Sequence, residues 1–214
     1  MRSRVRSRRR HWRLLWVVAL LACSGCAALQ QMQDALLNVK RLQFKLDGVV
    51  PGTLAGVSLA KIDDPASLNL QDGIRLTSAF AQKSLPMSFT LNVAAKNPND
   101  GSGGSPQKTA VLTALAWTLK IDDQETITGD LGGPIEIPGT GQATIIPLHM
   151  SLDLYQFFGE RGYMEVLNLA LAIAGKQGNA ARLTLAATPT VTVAGLPLKY
   201  PGAIHIVDKE FTNP

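Results

Sequence analysis

Residues Met87 to Asn99, MSFTLNVAAKNPN, constrain the fold more than any other stretch of the chain. Met87, Phe89, Leu91 and Val93 fall on one face and Ser88, Thr90 and Asn92 on the other, the period of two that a half-buried strand requires. Pro98 ends the strand, because it has no N–H to give a ladder. Asn97 and Asn99 favour a turn by hydrogen-bonding the local backbone.

Similar alternation recurs along the chain. Leu42, Phe44 and Leu46 make a first strand, expected to stop at Asp47-Gly48, and Val57 and Leu59, with Ile62, make a second, closed by Asp63-Asp64-Pro65. Ala66 to Lys83 reads two ways, with Leu68 and Leu70 alternating while Ile74 to Gln82 fits a helical turn. Asp100 to Pro106 is glycine-rich, but no Gly-Lys-Ser/Thr and no helix follow it. It is therefore read as a hairpin loop and not a phosphate cradle. Val111, Thr113, Leu115, Trp117, Leu119 and Ile121 form one face of a long strand that turns at Asp122-Asp123-Gln124-Glu125. Ile137-Pro138-Gly139-Thr140-Gly141 is a corner before Thr144, Ile146, Leu148, Met150 and Leu152, and Pro147 places that strand at an edge or on a bulge. Met164, Leu167, Leu171 and Ala174 predict one α-helix over 159–175. Arg182–Ala187, Thr190–Ala194 and Ala203–Val207 are expected to be three short closing strands, the last after a turn at 196–202.

Short alternating strands, glycine and proline turns and no βαβ succession read as an all-β sandwich. The alternating strand stopped at Asn97-Pro98-Asn99, with Leu115–Ile121 and the Ile137–Gly141 corner before Ile145-Ile146-Pro147-Leu148, resembles the late embryogenesis abundant group 2 family, the WHy (water stress and hypersensitive response) domain. The resemblance covers about Val39 to Lys209. It implies an immunoglobulin/fibronectin III-like sandwich of about seven strands, to which the helix is an addition, and a role in desiccation or stress protection through proteins or membranes. Asn97, Pro98 and Asn99 are its family motif, read as structural.

The net charge of +5 belongs to the N-terminus. Seven arginines lie within Met1–Arg13, leaving 14 basic against 16 acidic residues in the rest, so nucleic acid is not an expected partner. Leu14 to Ala22 is too short and too basically flanked for a permanent span, and suits a signal-peptide core. Both cysteines, Cys23 and Cys26, follow it, so no disulfide can staple the body. Leu20-Leu21-Ala22-Cys23 and Cys23-Ser24-Gly25-Cys26 each resemble a bacterial lipobox, whose cysteine is acylated, and which of the two is used stays open. A redox or zinc half-site is disfavoured by the lack of any other cysteine. Ser7–Arg13 has a fainter likeness to a twin-arginine export signal. The expected organisation is a signal peptide over 1–25, a tether over 26–38 with Leu29, Met32 and Leu36 at helical spacing, and the sandwich over 39–214. The residue after either cysteine is Ser24 or Ala27 and not aspartate, which by resemblance to lipoprotein sorting implies the outer membrane, facing the periplasm.

Little in the chain could carry catalysis. His149 and His205 lie on the polar faces of their strands with no third ligand at metal-site spacing, so neither a metal nor a cofactor is expected. Asp63-Asp64 and Asp122-Asp123 are adjacent pairs at turns, unable to flank a glycosidic bond. Pro98 interrupts the nearest approach to a calcium loop, Asn97-Pro98-Asn99-Asp100. The expectation is a non-catalytic protein whose partners are a membrane, through the lipid anchor, and a client protein. The alternative is an envelope module binding a peptide or a hydrophobic ligand, marked by an exposed apolar groove beside the 159–175 helix.

Overall fold

Alternation sorts the strands into two layers in the computed structural model, which describes residues 40–102, 107–176, 181–193, 196–200 and 202–206. The strands are β1 (Gln43–Leu54), β2 (Val57–Ser58), β3 (Pro86–Lys96), β4 (Ala110–Ile121), β5 (Gln124–Gly129), β6 (Ile135–Ile137), β7 (Ala143–Asp153), β8 (Leu183–Val193), β9 (Leu196–Lys199) and β10 (Ile204–Ile206). One antiparallel sheet has the order β2-β1-β3-β7, and the second runs β10-β8-β4-β5, with β6 also on β4 and β9 also on β8. Both sheets bury one face. Met87, Phe89, Leu91 and Val93 of β3, Ile146, Leu148, Met150 and Leu152 of β7, and Leu115, Leu119 and Ile121 of β4 share one apolar core. The protein is mostly β and sandwich-like.

The described residues hold ten strands where about seven were expected, because short pairings continue past turn signals. Strand β1 does not stop at Asp47-Gly48; the register shifts between Leu46 and Gly48, so the turn signal becomes a bulge inside one long strand. Likewise β8 runs unbroken through Thr188-Pro189. Pro189 falls between the residues paired with β10 and those paired with β9, where a missing N–H is tolerated. The expected 196–202 turn begins as β9. In β4, Thr113 lies in a register shift between Leu112 and Ala114, which changes the parity: Leu112 is buried, and Val111 and Thr113 are only half-buried. The Thr113 hydroxyl donates to Thr190 O, and Leu115 N donates to the Asp130 carboxylate. Strand β7 is a sheet edge, as Pro147 demands.

Three complete α-helices lie among the described residues where one was expected: α1 (Leu70–Ala81), α2 (Leu154–Phe158) and α3 (Tyr163–Ile173). Asn69 caps α1 by accepting from Asp72 N at 2.8 Å, while its amide donates to the Asp72 carboxylate at 2.7 Å. Leu76 anchors the helix in the core. The chain between 159 and 161 is a 3₁₀ turn, so α3 starts later than predicted. Helix α3 buries Leu167 and Leu171 as expected, but Met164 is 53% exposed. Asp153 ends β7 and caps α2, accepting from Tyr155 N and from Leu85 N at the start of β3.

A tight hairpin sets the register between β4 and β5. Ile121 pairs with Gln124 across Asp122-Asp123, whose φ angles of 51° and 68° define a type I′ turn. Asp122 also accepts from Arg182 N and from the Arg161 guanidinium, at 3.1 Å each, tying the turn to β8 and to the α2–α3 connection. Asp123 offers only an exposed pair with Arg182. Asp123→Gly should therefore raise stability by about 0.5 kcal/mol, relieving a left-handed backbone that a side chain disfavours. Asp122→Ala should lower it by about 2 kcal/mol. Urea unfolding of the two variants checks the opposite signs.

Candidate functional site

The residues singled out in the sequence separate into two places. Asn97 and Asn99 are the two buried polar side chains among the described residues. Asn97 Nδ2 donates to Lys108 O at 2.9 Å and to Ile137 O at 3.0 Å, while its Oδ1 accepts from Asn99 N at 3.2 Å and Asn99 Nδ2 at 2.8 Å. The main chain joins in. Asn97 O accepts from Gly141 N, and Asn99 O from Lys108 N. Pro98 closes its strand and its carbonyl accepts from Asp100 N. NPN thus fastens the end of β3 to the approach to β4 and to the corner after β6. Gly139 is required there by space, since a Cβ would press into Asn99 O and Lys108 O. The neighbouring Asp100 carboxyl is held below the usual carboxylate range by the Ser102 hydroxyl and then by the Ser102 N–H. That loop contact therefore persists as pH falls through the ordinary carboxylate range and is lost only below it.

The two histidines sit on different sheets. His149 Nδ1 lies 3.0 Å from the Thr90 hydroxyl on the exposed face of the first sheet, and His205 is exposed on β10. Among the described residues no three of His, Cys, Asp and Glu gather as metal ligands, and no helix is long and apolar enough to cross a membrane. Cys23 and Cys26 lie outside the described residues.

The alternative reading expected an exposed apolar groove beside the 159–175 helix, and the second place is such a groove, although its other wall was not foreseen. Helices α1 and α3 flank a groove of about 690 Å³, lined by Leu68, Leu70, Ile74, Tyr163, Met164 and Leu167 with small residues between them. Leu70 is 82% exposed, Ile74 62% and Met164 53%, three of the five exposed large hydrophobics among the described residues. None of the lining residues is charged. Phe80 holds the two helices at this spacing, with its ring edge-on to Tyr155 and Tyr163 at 5.0 and 5.6 Å. The signal available in sequence was Asn69-x-x-Asp72 ahead of Leu76, Ala79 and Phe80, a helix start obscured by Gly73 and Thr77. A further opening of about 880 Å³ lies between the sheets, lined by Leu46, Val49, Leu91 and Ile173, and Asp122, Asp123 and Arg182 at its rim are already paired together.

No family model and no curated protein matches the chain. Among solved structures it is similar to a protein described as late embryogenesis abundant (LEA), with 11% identity and a TM-score of 0.33 over 91% of this chain and 87% of that one. It is also similar to a protein of Arabidopsis thaliana (13% identity, TM-score 0.29, 78% of this chain and 83% of that). A third similar protein, from Archaeoglobus fulgidus, has 12% identity and a TM-score of 0.32 over 60% of this chain and 86% of that. Identities and scores this low carry no part of the functional reading.

The two places differ in kind, and mutation separates them. Asn97→Ala should cost about 3 kcal/mol, because two buried carbonyls lose their donor. Gly139→Ala should cost about 2 kcal/mol by overpacking. Leu70→Ser, on an open surface, should stay within about 0.5 kcal/mol of the parent. Thermal unfolding of the three variants tests this ranking.

Proposed function

We propose that this chain is a non-catalytic lipoprotein of the bacterial cell envelope. In this reading an acyl group on Cys23 or Cys26 ties it to the outer membrane, and its WHy-like β-sandwich serves a stress-related role by binding apolar surfaces of other proteins. The observation that carries the reading is the uncharged, exposed groove between α1 and α3, since exposed apolar surface of this kind marks a place of association. The non-catalytic part is supported by the histidines, neither of which lines either cavity. Strand order supports the immunoglobulin-related reading: β1, β3 and β7 take the places A, B and E, and β10, β8, β4 and β5 take G, F, C and C′. Junction of the NPN turn with the Ile137–Gly141 corner supports the family resemblance, because the two parts of the motif interlock.

The same groove favours a second reading, a dedicated envelope module for one peptide or hydrophobic ligand. Drying separates the two. A labile enzyme dried with the full chain is expected to retain more activity than with an equal mass of albumin, whichever enzyme is used; no protection beyond albumin overturns the stress role and leaves the dedicated module. Mass spectrometry of membrane-extracted protein from Cys23→Ser and Cys26→Ser cells is expected to show acylation lost in one variant and kept in the other. Acylation absent from the parent would remove the anchor.

A further inference from the structure

We draw no further inference here: the strongest candidate, the uncharged apolar groove between α1 and α3 with Leu70, Ile74 and Met164 exposed along it, belongs to the site already described, and nothing in the structure shows what covers it.

Discussion

The amide of Asn97 is the interaction on which the rest of the sandwich depends. A sandwich must close its ends as well as its faces, because each strand leaves carbonyls and N–H groups where its ladder stops, and burying these unpaired costs about as much as a lost hydrogen bond. At the end of β3 one side chain answers three segments at once: the carbonyls of Lys108 and Ile137, and the N–H of Asn99. Aspartate has no donor for the two carbonyls, and serine lacks the reach and the second N–H. Pro98 then keeps the chain from continuing the ladder. The first sheet is thereby fixed to the approach to β4 and the corner after β6, elements of the second.

With one end closed in this way, the helices attach at the other. There the strands hand over to helices, through Asp153 capping α2 and Asn69 capping α1. Phe80 joins α1 to the α2–α3 segment through two edge-on aromatic contacts. The helices therefore do two jobs. Their inner residues cover the core with Leu76, Phe158 and Val166, and their outer residues leave a seam uncovered. Nothing in core packing requires Leu70 and Ile74 to be apolar, since both point to solvent, and that is the physical reason to assign them to association.

How much of this was legible in sequence depended on whether a residue's role is local. The alternation of Met87–Val93 and of Ile146–Leu152 is local, and both strands appear with the expected faces buried. Asp122-Asp123 read as a turn and is one. Asp47-Gly48 and Thr188-Pro189 gave the same kind of signal and are not chain reversals, because a long partner strand absorbed each, one as a bulge and one in a gap between short neighbours. Thr113 shows the same limit. Its bulge changes the face of Val111 and Leu112, and it depends on β8, some 77 residues away, whose Thr190 O accepts its hydroxyl. Helix α1 was ambiguous because its apolar residues serve two faces, which blurs the single periodicity that a one-sided helix displays.

The candidate site follows the same division. Asn97, Pro98 and Asn99 could be named from sequence because a proline between two asparagines has a local meaning, although the carbonyl 40 residues away that Asn97 serves could not. The groove had no such signature: Leu70 and Met164 look like ordinary core positions until the helices are placed, and only their exposure distinguishes them. A residue conserving the fold and a residue contacting a partner can thus share a hydrophobic side chain and a helical spacing. What tells them apart is whether the domain already supplies the neighbour. For Leu76 it does; for Ile74, one half-turn away, no described residue covers the side chain.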